Sequence, residues 1–372
     1  MASMDADTAA LLREAVGKHA ERTADGRAVR ARRNDLPGHA PETLAVMAEQ
    51  GWLALALPED SGGLGLGVSA AGIVAEGLAG CFTADPFHSL FLAGRVLVHA
   101  GAGAELLAGL ATAEALPALA WQENPQGFRL APPATTFAAG RVSGQKAWVA
   151  GAAGASHYIV SASGPDGLAL VLVEAGISGS QLSHDFRADG SPTGRLALDA
   201  APGTVLATGK VAERALRAAL DETSVLVAAE LMGHVDRMMA LVIEHLKTRR
   251  QFGKLIGAFQ ALQHRAADMF VHQRLARAVL DAGLARFDEL RDPVARGMQA
   301  ARLRARLNDT AQLVIRESIQ LFGAMGITDE NDLSLHVKRC LSLICWLGSS
   351  VEQRGYYMDL AEPQGQAAEG RI

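Results

Sequence analysis

Apolar positions along this chain change rhythm twice, dividing it into three stretches. From residue 5 to about 114, Ala, Leu and Glu recur at helical spacing, as in Leu44, Met47 and Ala48 ahead of Gly51, and predict helices. The interruption from Ala56 to Gly65 holds Pro58, Gly62, Gly63 and Gly65, which cannot continue a helix and predict a shaped turn. Between about Leu116 and Leu206 the pattern becomes short runs, such as Gln145 to Val149 and His157 to Ser161, separated by Gly, Ser and Pro. These are expected strands of a small barrel or sandwich. Beyond Lys210, helical segments are expected near 214–247, 259–290, 294–323 and 330–358, broken at Gly253 with Gly257, at Asp292-Pro293, and from Gly323 to Gly326. Four such helices make a bundle. The expected domains are therefore 1–114 (helical), 115–208 (β) and 209–372 (four-helix bundle).

Composition narrows the partners. A chain of 372 residues exceeds one ordinary core, and 49% hydrophobic residues with only 5% aromatics imply an interior of Ala, Leu and Val that favours helix. A formal charge of -5 gives no basic field for nucleic acid. Cys81, Cys340 and Cys345 are odd in number and lack metal-ligand spacing, so reduced thiols, no metal site and a cytoplasmic location are expected. Met1 to Arg13 lacks the charged start and apolar run of a secretory signal, and no apolar run is long enough for a membrane span.

Three separated motifs carry the sharpest signal. The run from Arg249 to Met269, containing Arg249, Gln251, Phe252, Gly253 and Gln260, closely resembles the acyl-CoA dehydrogenase signature. Gln320 to Thr328 is similar to that family's glutamine-to-double-glycine turn, with Ala324 where a second glycine is usual, and Gly51 to Gly67 resembles its early turn. The resemblance covers nearly the whole chain and implies a helical, then β, then four-helix-bundle fold, FAD as cofactor and an acyl-CoA substrate. It also implies an electron-transfer flavoprotein or similar acceptor, and a role in fatty acid or lipid metabolism.

The residue chemistry agrees with that implication. Arg249 can give a pyrophosphate a bidentate pair of donors, Gln251 and Gln260 offer amide hydrogen bonds, and Phe252 a flat apolar contact. By resemblance, Gln320, Gly323 and Ala324 form a turn that approaches FAD of a neighbouring subunit, so a homo- or hetero-oligomer, dimer or tetramer, is implied. In the strand region Gln122 stands at the position of a family threonine, and Trp148 is placed to pack on the flavin, while Ala150 replaces a frequent hydroxyl residue.

The catalytic carboxylate is where the sequence departs from the family. Counting from Gly326 and back from Arg249 brings the family's two alternative glutamate positions to Leu347 and Thr223. Asp221, Thr223 and Val227 are the expected substrate-binding positions. Thr223, Val227, Glu230 and His234 share one helical stripe, which nominates Glu230 as general base, with acyl recognition and a satisfied buried acid as its other readings. Glu352 lies just beyond the other position, and His88, His264, His272 and His336 read as structural. The leading function is FAD-dependent α,β-dehydrogenation of an acyl-CoA. The alternatives are a base-lacking partner in a mixed tetramer and a flavin monooxygenase on the same fold.

Overall fold

The computed structural model describes residues 4–83, 85–124, 128 and 130–362. Six helices come first: α1 (Ala6–Thr23), α2 (Gly26–Ala31), α3 (Pro41–Glu49), α4 (Gly67–Leu78), α5 (Phe87–Ala100) and α6 (Ala104–Ala111). The turn before α4 uses Gly62 and Gly65 at positive φ, 79° and 62°, which an L side chain resists.

Eight strands follow: β1 (Pro117–Ala120), β2 (Thr136–Ala138), β3 (Arg141–Ala150), β4 (His157–Gly164), β5 (Gly167–Glu174), β6 (Ser180–Phe186), β7 (Pro192–Pro202) and β8 (Thr204–Thr208). They form one sheet in the order β6-β7-β3-β2-β4-β5-β8, with β1 parallel to β4. Successive side chains of a strand point to opposite faces, and here both faces are covered. Tyr158, Val160, Ala169 and Val171 fill a core within the β region, whereas Ile159 and Leu170 join the helical core.

The bundle consists of α7 (Gly209–Thr248), α8 (Gln260–Phe287), α9 (Pro293–Phe322), α10 (Leu333–Cys345) and α11 (Ser350–Ala361), with the short pair β9 (Arg250–Gln251) and β10 (Lys254–Leu255) after α7. Asp292 accepts from the backbone N–H groups of Val294 and Ala295 and precedes Pro293, the usual chemistry of a helix start. The single helix expected over 330–358 is two helices. Leu347 and Gly348 take positive φ, 57° and 97°, and Ser349 with Glu352 forms a capping box that starts α11 anew.

Helix α7 is the axis of the molecule. It packs against α4, α5, α8 and α9, so every residue from Ala219 to Val235 is buried. Gly233 lets α4 approach: a Cβ there would stand 2.3 Å from the carbonyl oxygen of Glu76. Among the described residues no helix is long and apolar enough to cross a membrane.

Candidate active site

A cleft of about 1050 Å³ opens where the first half of α7 meets the β4–β5 turn, α9 and α11. Its walls combine apolar surface from Phe128, Leu130 and Leu168 with the guanidinium-bearing residues Arg214, Arg217, Arg291 and Arg296. Arg217 lies 4.7 Å from the ring centroids of both Phe128 and Tyr356, which fixes its planar head by stacking.

Asp221 also lines this cleft and is 4% exposed. The Tyr356 hydroxyl donates to its Oδ2 at 3.0 Å, Arg217 stands 3.8 Å from Oδ1, and Oδ1 has no hydrogen-bond partner among the described residues. Burial pushes the carboxyl up to about 7, against the opposing pull of Arg217 and Tyr356. The next residue, Glu222, behaves oppositely: Arg95 (2.6 Å), His99 (3.1 Å) and Arg296 (2.6 Å) surround it and hold it ionised.

The stripe expected to face substrate runs into the protein. Thr223, Val227, Glu230 and His234 are fully buried and do not line the cleft; the Thr223 hydroxyl donates to the Ala219 carbonyl. Because α7 is covered on all sides, helical spacing alone cannot select its substrate-facing side. Glu230 lies in a closed polar cluster. Arg339 donates to both of its oxygens, at 2.8 and 3.1 Å, and His88 and His234 approach at 3.0 and 3.3 Å.

Arg339 also donates to Asp85 (2.7 Å) and Asp189 (3.0 Å), tying together residues from all three stretches of the chain. Burial lowers the pKa of His234 and His336, so both are neutral. Their Nδ1 atoms lie 2.8 Å apart, and the assignment satisfying every contact has His336 donating to His234, whose Nε2–H donates to Glu230. Both Glu230 oxygens are thus engaged within the fold, away from the cleft. Sequence spacing offered no sign of Arg339, Asp85 or Asp189, which come from distant segments.

The other family position, Leu347, is 2% exposed in a turn clamped from beneath. Arg304 donates to the carbonyls of Leu343 and Trp346 (the latter at 2.6 Å), Asn308 to that of Gly348 at 3.2 Å, and Gln353 to that of Leu347 at 2.6 Å. Glu352 lines the cleft, but its Oε2 accepts from the Ser349 backbone and hydroxyl, both at 2.8 Å, and its Oε1 from the Phe128 N–H. Asp332 and Asp329 pair with Arg30 and Arg33 and provide no side-chain cap for α10.

The expected cofactor residues fall in two places. Arg249, Gln251, Phe252, Gln260, Gln320, Gly323 and Ala324 are all exposed. They gather at one end of the bundle, where the His245 and Phe322 rings stack at 4.2 Å and Gly257 packs on Leu246. Gly323 has φ 62° and ψ -143°, with nothing within 4 Å of a notional Cβ. A guanidinium, three amides and an open glycine turn suit a dinucleotide. Gln122 and Trp148 belong instead to the sheet. Trp148 has φ 52°, is 37% exposed, and sits at a register shift between Lys146 and Val149, while the Gln122 carbonyl accepts from the Ala147 N–H at 2.8 Å.

Comparison with known proteins decides the family. The acyl-CoA dehydrogenase N-terminal domain model matches residues 6–115 and the C-terminal domain model matches residues 213–357. Acyl-CoA dehydrogenase IpdE2 of Mycolicibacterium smegmatis is 30% identical over 349 residues, covering 92% of this chain and 95% of that protein. The chain belongs to the acyl-CoA dehydrogenase family. This acyl-CoA dehydrogenase is accordingly an oxidoreductase acting on CH–CH bonds, in a family of flavoproteins. A solved structure of a variant of the Tcur3481-Tcur3483 steroid ACAD superposes with TM-score 0.85 at 25% identity, covering 95% of this chain and 98% of that one. The ChsE4-ChsE5 complex from Mycobacterium tuberculosis contains a chain of the same fold, with TM-score 0.83 at 22% identity, covering 98% and 100%.

Proposed function

We propose that this acyl-CoA dehydrogenase uses FAD to desaturate the α,β bond of an acyl-CoA held in the cleft between α7 and the sheet, within an oligomer that shares its cofactor sites. The observation that carries this reading is the pairing of that large, arginine-flanked cleft with an exposed dinucleotide-type donor set at the end of the bundle. The cleft's arginines suit the phosphates of coenzyme A, and its apolar walls suit an acyl group. When bound, FAD would accept the hydride from the β-carbon. Arg249 would hold its pyrophosphate, Gln251, Gln260 and Gln320 would accept and donate at its polar edges, and Trp148 would cover one face of its ring system.

Distance supports an oligomer. Gln122 lines a pocket together with Leu216, and the helical rise between Leu216 and Arg249 comes to roughly 50 Å, longer than an extended dinucleotide. In this reading Gln122 and Arg249 of one chain serve different cofactor sites. A mixed assembly, in which a partner chain supplies the carboxylate, is the second reading; Thr223 and Leu347 at the family's glutamate positions support it, and it competes with a base inside this chain's own cleft. Acyl identity and the electron acceptor, an electron-transfer flavoprotein or similar protein, belong to the same proposal.

Arg249→Ala tests it. Flavin content after purification should fall severalfold while the far-ultraviolet spectrum stays helical, because an exposed side chain contributes little to the fold. Full flavin content in the variant, or a flavin-loaded monomer by light scattering of the wild type, would refute it.

A further inference from the structure

Among the described residues, the carboxylates lining the cleft are Glu213, Asp221, Glu352 and Asp359, and they differ sharply in setting. Glu213 and Asp359 are exposed, and Glu352 is engaged in the capping box of α11. Only Asp221 is buried against the cleft with a carboxylate oxygen that has no hydrogen-bond partner among the described residues. We propose that Asp221 is the proton acceptor of this cleft, taking the α-proton of a bound thioester on its Oδ1 while Tyr356 holds Oδ2. The inference rests on the reading that the cleft binds an acyl-CoA.

The step balances without a further reactant. The α C–H bond breaks, its proton bonds to Oδ1, and the electron pair remains on the α-carbon, delocalised into the thioester carbonyl. Reversal returns a proton from Asp221, so in heavy water the α-position acquires deuterium.

The charged and titratable groups facing Asp221 are Arg217 and Glu222 on α7, Arg296 on α9 and Tyr356 on α11. Arg217 is restrained by its contacts with the Phe128 and Tyr356 rings, and Arg296 is paired with Glu222, so the carboxylate is not captured by a close, bidentate guanidinium. That distinguishes it from Glu230, which is. A carboxyl that changes charge near neutrality also suits general-base work at physiological pH, since a base that is too weak or always protonated transfers protons slowly. Tyr356 is a positioning residue: donation to Oδ2 directs Oδ1 at the cleft and favours the ionised form.

The test uses the flavin-loaded protein under anaerobic conditions with short, long, branched and ring-bearing acyl-CoA thioesters. Binding is read by calorimetry and α-deuteration by mass spectrometry. For a thioester that binds both proteins, Asp221→Asn should slow α-deuteration at saturating thioester on the order of a hundredfold or more. Wild-type exchange should rise with pH through about 7, and Tyr356→Phe should move that rise to higher pH, which a merely structural tyrosine would not do. Infrared titration without thioester should show a protonated carboxyl that Asp221→Asn removes. Undiminished exchange in Asp221→Asn, or bound thioester that never exchanges in the wild type, overturns the assignment and leaves the cleft as an acyl-CoA site. Absence of binding by every thioester removes the functional reading itself.

Discussion

Replacing Arg339 by Met should destabilise this acyl-CoA dehydrogenase by about 3–5 kcal/mol, because it removes one partner from a buried charge network while preserving an unbranched apolar stem. The wild-type cluster sets the carboxylates of Asp85, Asp189 and Glu230 against the guanidiniums of Arg187 and Arg339. Without Arg339, Asp85 keeps Arg187 at 2.9 Å and Asp189 keeps the Ser191 hydroxyl, but Glu230 loses the guanidinium that donates to both of its oxygens and keeps the weaker contacts of His88 and His234. Glu230 is fully buried, and protonating a histidine there would itself be costly, since burial already holds His234 neutral. Urea unfolding followed by tryptophan fluorescence suits the assay, because Trp346 stacks beside His88 at 6.2 Å and reports on the cluster directly. Glu230→Gln should cost less than Arg339→Met, since Arg339 would retain Asp85 and Asp189. If Arg339→Met shifts stability by under about 1 kcal/mol, the level of an exposed ion pair, the cluster is not the anchor inferred here.

Two other consequences concern packing and acid. Gly233→Ala should cost about 1–3 kcal/mol in the same assay, because the added methyl would meet the Glu76 carbonyl and the Ala79 side chain, and neither belongs to a flexible chain end; a neutral result would mean that α4 and α7 can separate freely. The lowered pKa values of His234 and His336 make the unfolded chain the stronger proton binder just below its ordinary histidine value of about 6.5, so they remove stability as pH falls. Asp221, raised to about 7, works in the opposite sense: the folded protein holds its proton, and that stabilisation is lost as pH rises through 7. Asp221→Asn should therefore lose on the order of 2 kcal/mol more than the wild type between pH 7 and 5, and parallel pH profiles would show that Asp221 titrates normally.

The periodicities alone determined the order of helices, strands and helices, since an interior of Ala, Leu and Val leaves a 3.6-residue or 2-residue repeat wherever one face of an element is covered. The Arg249 and Gln320 motifs likewise marked the family, because they are contiguous in the chain. The sequence was silent where an element is covered on every side. Along α7 the apolar pattern has no favoured face from Ala219 to Val235, so the Thr223 to His234 stripe gave no sign of which side met solvent, and only the packing of α4, α5, α8 and α9 turned Glu230 inward and left Asp221 at the cleft. The break at Leu347 and Gly348 escaped for a related reason: the residues that clamp it, Arg304, Asn308 and Gln353, act through backbone carbonyls, which no side-chain pattern records. Arg339 met Asp85, Asp189 and Glu230 only once three distant segments had folded together, and it is that convergence that sets the charge partners of Glu230, while Asp221, nine residues earlier on the same helix, meets Arg217 and Tyr356 at the cleft.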